Sequence, residues 1–467
     1  MSNLNSPRKS RRDFFRHSAA AVGSFAVAGS LGTFLERSEA QGRRSSTIGF
    51  GELRPAKDQS TGLELIQLPD GFTYKSFGWT GDDMADGGKT PGDHDGMGVI
   101  SEEDGVLTLC RNHEVSDPGQ PFGGVKSIWY DSEAAAGCTL LRFDGNKGDW
   151  VDSKTGISGT SRNCAGGVTP WGTWLTCEET VVGIKESYEE EPMNFEKTHG
   201  WIFEVPADGK SAPVPLKDMG RFVHEAVAID PETGIVYETE DRDRCGMYRF
   251  IPKENGNLVA GGKLQMLKVD GHLNLMKGSK VGQTYDIGWV DIDDPQQAHS
   301  LDSEDTQGVF YQGKRRGGTT FARLEGCWYG NDLIYFVSTD GGMTQNGQVW
   351  QLDPKKQQIT LLFESPAKKI LDAPDNIAVS PRGGLCLCED GSWNPQRVHG
   401  LTQDGQLFPL MSNNLKLNGE RNGFKGDFKK EEWCGVTFSP DGKWLFANLQ
   451  KPGITIAVTG PWESGGL

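Results

Sequence analysis

Beyond the N-terminal region the chain has no apolar run of about 18 residues, and its mean hydropathy is −0.51. That excludes a protein threaded through a membrane by helices, and no stable membrane insertion is expected. Basic charge is also in short supply: 48 Lys and Arg stand against 64 Asp and Glu, a net charge of −16. A nucleic-acid binder needs a basic footprint to neutralise phosphates, so that class falls away. There is no G-x-S-x-G elbow, no Walker loop, no H-E-x-x-H, and no C-x-x-C pair repeated at zinc-ribbon spacing. His113-Glu114 and His224-Glu225 are too little by themselves to define a zinc site. Nine cysteines, an odd count in a long chain, argue against a disulfide framework, and Cys386 and Cys388, two apart on an expected strand, read as core. No Pro/Ser-rich linker divides the sequence.

Glycine is abundant, 63 of 467 residues, and there are 13 Trp. Many turns and many aromatics fit a large all-β protein. The first forty residues read as an address. Ser10-Arg11-Arg12-Asp13-Phe14-Phe15 has the form of a twin-arginine export motif, a modest apolar stretch follows from Ser18 to Leu35, and Ser38-Glu39-Ala40 offers a signal-peptidase site. Residues 1–40 are therefore expected to be a signal peptide handled by the twin-arginine translocase, and residues 41–467 a single domain. The expected destination is periplasmic or extracellular. Because that route carries folded proteins, it hints at a cofactor loaded before export.

One pattern recurs: a polar residue, an apolar strand, a Pro/Gly/Asp turn, a second apolar strand, then an acid or amide. It occurs at 95–114, 163–179, 225–241, 325–340, 375–390 and 433–450. The turn residues Gly105, Gly172, Gly234, Asn331, Gly384 and Gly442 are 67, 62, 97, 53 and 58 apart. Intervals of this size, one stretched by an insertion, predict a six-bladed β-propeller with four-stranded blades. The acidic segment from Asp286 to Asp305 reads as a loop inserted over one face. A sandwich or a β-helix with similar hairpins is the alternative.

In a propeller the first strand of each blade lines the axis, and its ends deliver side chains to one mouth. Acids concentrate there: Glu114, Glu178, Glu179, Glu225, Glu240, Asp241, Glu325, Asp340, Asp375, Glu389 and Asp390 all start or finish a repeat. So many carboxylates in one mouth cannot all stay ionised unless cations sit between them. Calcium, which takes six to eight oxygen ligands, suits such a ring, with amides such as Asn112 and Asn376 adding donors. Cys164 stands where other repeats have an acid and would add a softer ligand, suited to iron or zinc. Arg323, two before Glu325, offers a fork that fits phosphate oxygens or a salt bridge.

At these residues the sequence resembles the PhoX-type alkaline phosphatases. The matching segments are DHDGMG at 93–98, LCRNHE at 109–114, RNCAGGVTPWGTWLTCEE at 162–179, GRFVHEA at 220–226, ETEDRDRCGMYRFIP at 238–252, ARLEG at 322–326, APDNI at 373–377 and CLCEDG at 386–391. The resemblance implies an exported metal-dependent phosphomonoesterase on a six-bladed propeller, with an iron and calcium cluster (Ca2+, Fe3+) and a phosphate ester as substrate. It implies that Cys164 ligates ferric iron, that Arg323 meets phosphate and Glu325 metal, and that a metal-held oxo or hydroxo group is the nucleophile. The expected ligands are Cys164, Glu114, Glu179, Glu225, Glu240, Asp241, Glu325, Asp375 and Glu389, with Arg323 and Glu325 catalytic. A monomer is expected. Two alternatives stand beside the phosphomonoesterase: a calcium-dependent propeller hydrolase of lactones or phosphotriesters, which would need the acids and calcium but neither Cys164 nor Arg323, and a non-catalytic metal-binding propeller, which a chain shorter than the well-known family members would fit.

Overall fold

The structure is a computed structural model that describes residues 48–184, 187–188, 191–192, 194–301 and 305–467. The expected signal peptide lies outside the described residues. Thr47–Leu467 forms one compact unit.

Each of the six expected hairpins forms an antiparallel pair that opens a small sheet. The first sheet runs His94–Glu103, Val106–His113, Ala136–Asp144 and Asp149–Thr160. The second is Asn163–Val168, Thr173–Glu178 and Ile202–Pro206, three strands rather than four among the described residues. A third runs from His224–Ile229 to Gly262–Val269, and a fourth from Leu324–Gly330 to Gln358–Glu364. The strand Thr284–Asp291 pairs with the outer strands of both and joins them into one nine-stranded sheet. This corrects the reading of 286–305 as a loop: it begins as a strand, and a helix, Gly308–Arg315, follows it. The fifth sheet opens with Pro374–Val379, and the sixth opens with Trp433–Phe438 and is completed by the early strand Thr73–Phe77.

The arrangement is propeller-like. The opening strand of each sheet packs beside that of the next in chain order, and Trp433–Phe438 returns to His94–Glu103. These inner strands are covered on both faces; His224–Ile229 and Trp433–Phe438 are buried at every residue. Outer strands alternate: Gln358–Glu364 buries every second side chain, as a strand with one solvated face does. Core clusters lie between neighbouring sheets, as where Cys386 and Cys388 pack with Trp433 and Val436. Glycine permits this closeness at the axis. A Cβ on Gly326 would lie 2.5 Å from Asp375 O, and one on Gly435 would lie 2.5 Å from Asp95 O. All nine cysteines are unpaired and buried.

Candidate metal centre

Every inner strand starts in the same way. The register slips between its first and fourth residues in all six, at His94/Met97, Asn163/Gly166, His224/Val227, Leu324/Cys327, Pro374/Ile377 and Cys434/Thr437 (the last begun one residue later). Such a bulge re-aims side chains locally. In four repeats the preceding residue has left-handed backbone: Asp93 (φ 46), Arg162 (φ 51), Arg323 (φ 40) and Ala373 (φ 53). Non-glycine residues reach that region at a cost of about 1–3 kcal/mol and cluster at functional sites. The second residue of the six strands is Asp95, Cys164, Glu225, Glu325, Asp375 and Cys434.

The hairpin's other strand supplies a second row. In each repeat an amide just past that strand donates to the carbonyl of the residue before the inner strand: Glu114 to Asp93, Glu179 to Arg162, Asp241 to Val223, Thr339 to Arg323, Asp390 to Ala373 and Gln450 to Glu432. The two rows interleave. One ligand atom each from Cys164, Glu179 and Glu225 lies within 4.8 Å of the others, and so do atoms of Glu225, Asp241 and Glu325. All five residues are buried, and Glu225 belongs to both groups.

Two arginines at equivalent positions fasten these acids, Arg162 linking two members of the second row and Arg323 one member of each row. Arg162 Nη2 donates to Glu114 Oε1 at 3.0 Å and Glu179 Oε2 at 2.9 Å. Arg323 Nε donates to Asp241 Oδ1 at 2.9 Å, and its Nη2 reaches Asp241 Oδ2 at 3.4 Å and pairs with Glu325. The Arg162 side chain is 4% exposed and that of Arg323 is 23% exposed, so only the latter can reach a ligand from solvent. Burial pushes Glu225 well above the usual carboxylate range, and Glu179, Glu325 and Asp241 push it further. Burial likewise raises Asp375 and Glu325, whose side chains are hydrogen-bonded to each other. Burial raises the Cys164 thiol too, with Glu225 and Glu179 adding to it. Buried groups of one sign and one thiol are the donor set that bound cations would neutralise: oxygen for hard ions, sulfur for a softer one. The residues present fit calcium and iron.

Glu240 and Glu389 are not brought to this cluster. Along a strand successive side chains alternate, so in the doublets Glu178-Glu179, Glu240-Asp241 and Glu389-Asp390 only one member can face the mouth. The first member turns into its own sheet. Glu178 accepts from Ser161 N at 2.9 Å, Gly200 N at 2.7 Å, Trp201 N at 3.0 Å and His199 Nδ1 at 2.6 Å. Glu240 accepts from Gly246 N at 3.1 Å and Tyr248 Oη at 2.8 Å, and burial raises its pKa to about 7. Glu389 accepts from Arg397 Nε at 2.8 Å, Asp372 N at 2.8 Å and His399 Nε2 at 3.1 Å; burial alone would raise it, but His399 and Arg397 hold it low. Asn112 is not available as a donor either. Its amide oxygen accepts from Trp174 Nε1, Thr176 Oγ1 and Cys138 Sγ, and its Nδ2 donates to Cys164 O and Ala165 O. Sequence reasoning passed over Asp95, Arg162, Glu432 and Cys434. Aligning the repeats on the residue before each inner strand would have set Arg162 against Arg323 and Cys434 against Cys164.

The family model described as alkaline phosphatase PhoX matches residues 48–157 and 151–453. Among curated proteins, none matches the sequence. Among solved structures, PhoX of Pseudomonas fluorescens in complex with vanadate, a transition state analogue, superposes with a TM-score of 0.63 at 17% identity, covering 90% of this chain and 99% of that one. A Bacteroides thetaiotaomicron protein of unknown function gives 0.42 at 9% identity, covering 83% and 76%. A gluconolactonase of Xanthomonas campestris gives 0.37 at 12% identity, covering 89% and 99%.

Proposed function

The chain belongs to the PhoX alkaline phosphatase family, a family of phosphomonoesterases, and from that premise we propose an exported enzyme that uses calcium and ferric ions in the acidic mouth of a six-bladed propeller. One observation carries the metal reading: the shared carboxylate of Glu225, which stands in both buried donor groups and so suits a bridge between cations. Cys164 and Glu179 would complete the group suited to iron, and Asp241 and Glu325 the neighbouring one. Asp375, beside Glu325, and Glu114, held by Arg162, would add oxygen donors at the margin. The cyclic order of the inner strands and their recurring bulge support six blades. The Ser10–Phe15 motif supports export.

When bound, the cations would supply Lewis acidity toward phosphate oxygens and lower the pKa of nearby water. The chain's own residues do the rest. Asp241 and Glu325 grip the Nε/Nη2 edge of Arg323, which leaves Nη1 without an acceptor among the described residues and directed by a fixed guanidinium plane. The Nη1 end suits the equatorial phosphate oxygens, whose charge it would stabilise as the ester bond breaks. Arg162, doubly paired and buried, instead holds Glu114 and Glu179 at fixed separation. The deciding experiment is an assay of chromogenic monoester, diester and lactone substrates alongside elemental analysis. Monoester turnover that disappears on chelation, with calcium and iron both present, is expected; a metal-free protein with full activity would overturn the reading.

A further inference from the structure

The mouth contains a second thiol that the family resemblance does not assign. Cys434 is the second residue of its inner strand by the same alignment that places Cys164. Its surroundings repeat those of Cys164. Cys434 Sγ lies 3.0 Å from His94 O and 3.8 Å from Asn448 O, as Cys164 Sγ lies 3.3 Å from His224 O and 3.9 Å from Cys177 O. Ligand atoms of Asp95, Glu432 and Cys434 fall within 4.8 Å of one another. None of these three residues belongs to the Cys164 or Glu325 groups.

Asp95 supplies the independent observation. It is 6% exposed, its carboxylate lies within this group, and no donor or cation of the protein meets it among the described residues. Its charged neighbours are Glu114, Asp375, Glu225 and Glu179, all of the same sign. A buried carboxylate aimed at a thiol and a second carboxylate, itself met by no cation of the described residues although Lys451 acts on Glu432, has the form of a metal ligand.

We propose that Asp95, Glu432 and Cys434 form a second sulfur-containing metal site, distinct from that of Cys164, for a borderline-soft divalent cation such as zinc or ferrous iron. Two carboxylate oxygens and one sulfur are a donor set that calcium, bound by oxygen alone, would not select. As the sulfur–metal bond forms, the thiol proton leaves to solvent, and the bound ion neutralises most of the charge of its three anionic ligands. The proposal rests on the reading of the mouth as a metal centre.

Cobalt(II) tests it, because thiolate bound to cobalt absorbs in the near ultraviolet by charge transfer whereas carboxylate-bound cobalt does not. Chelated full-length Cys164→Ser is titrated with cobalt. About half of the wild-type charge-transfer intensity is expected to remain, and to vanish in Cys164→Ser/Cys434→Ala. No residual band in Cys164→Ser, or a band that survives in the double variant, overturns the proposal. The other seven cysteines belong to no such donor group among the described residues, so they add no competing signal. If the double variant does not fold, Asp95→Asn in the Cys164→Ser background serves in its place. It keeps the thiol, and it should weaken cobalt binding by about 10–100-fold; unchanged affinity would overturn the proposal equally. A wild type inactive on every phosphomonoester would defeat the phosphatase reading while leaving these bands as they are, so the two failures are distinguishable.

Discussion

The six inner strands have two ends, and the ends differ completely in chemistry. At one, the second residues are Asp95, Cys164, Glu225, Glu325, Asp375 and Cys434. Four residues further on, about 13 Å along an extended strand, the same strands carry Val99, Val168, Ile229, Tyr329, Val379 and Phe438, which line an apolar cavity of about 310 Å³. The backbone repeats at both ends, with the same pairing and the same neighbours. What differs is the start of each strand, where a bulge and, in four repeats, a left-handed residue turn side chains toward the axis. At the far end four hairpin turns carry proline, at Pro170, Pro231, Pro381 and Pro440, and the lining is mostly apolar and carries no charge, with Thr169, Thr437 and Ser439 among it. The fold supplies a symmetric frame, and the irregular end of the frame is where polar chemistry is concentrated.

The sharpest way to break this contrast is to remove the carboxylate shared by two donor groups. Glu225→Gln keeps the volume and loses the charge, and monoesterase activity should fall on the order of 10³ or more. Calcium and iron content, measured by elemental analysis, should fall with it. Full metal content in an active Glu225→Gln protein would show that the mouth does not depend on the acid its two donor groups share.

Arg323→Ala should cost less, on the order of 10²–10³ in rate, with metal content retained because arginine is no ligand. Arg323→Lys should recover little, since an ammonium cannot reproduce the planar fork that Asp241 and Glu325 now hold. Loss of metal in Arg323→Ala would mean that the arginine maintains the cluster rather than meeting phosphate.

Which end would be acidic was legible in the sequence, and so was the frame. Gly- or Asn-containing turns between β-rich runs, four of them with a proline, marked each hairpin, and five of the six turn residues do have positive φ: Gly105, Gly172, Gly234, Asn331 and Gly442. In the fifth hairpin it is Gly383, not Gly384, that takes the left-handed position, one residue from the expected place. A shift of one residue is harmless in a turn and decisive on a strand, where it exchanges faces. That is why the doublets misled. Nothing in Glu240-Asp241 or Glu389-Asp390 says which acid faces the axis, because the answer depends on partners brought up by the folding of the next strand, such as Tyr248 and Arg397. Arg162 and Cys434 were hidden for a related reason: their repeats were aligned one residue early, on Asn163 and Trp433.

The inward-turned acids permit a gentler test of the same end. His199, between Glu178 and Asp131, is completely buried, and burial alone would lower its pKa; the two carboxylates outweigh that and raise it to about 9. A histidine with a raised folded-state value stabilises the fold fully below its unfolded value, about 6.5. That contribution is lost as pH rises through 9. Glu178→Gln should therefore cost about 1–3 kcal/mol at pH 6, and less at pH 10, where the wild type has already lost most of this interaction. Thermal melts across that range check the sign. A variant whose deficit grows with pH would mean that His199 is neutral in the native protein. Activity of Glu178→Gln should fall only about 10–100-fold, as expected of a residue that holds a ligand-bearing strand rather than the ligand.

The smallest effect belongs to the apolar end. Tyr329 is half-buried at the mouth of the apolar cavity, and its hydroxyl donates to Asp332 Oδ1 at 3.1 Å. Tyr329→Ala removes apolar contact without uncovering a charge, so the cost should be stability alone, about 1–2 kcal/mol for a partly exposed ring. Because the acidic row lies on the same strand, at Glu325, this substitution asks whether the strand transmits the change. Each inner strand is fastened near its acidic end by its own ties, here Thr339 N to Arg323 O and Thr239 Oγ1 to Glu325 O. Those bonds do not involve Tyr329, so kcat/KM and metal content should stay within about twofold of wild type. A tenfold loss of activity with metal retained would mean that the two ends act as one unit, and the division between frame and chemistry drawn above would have to be given up.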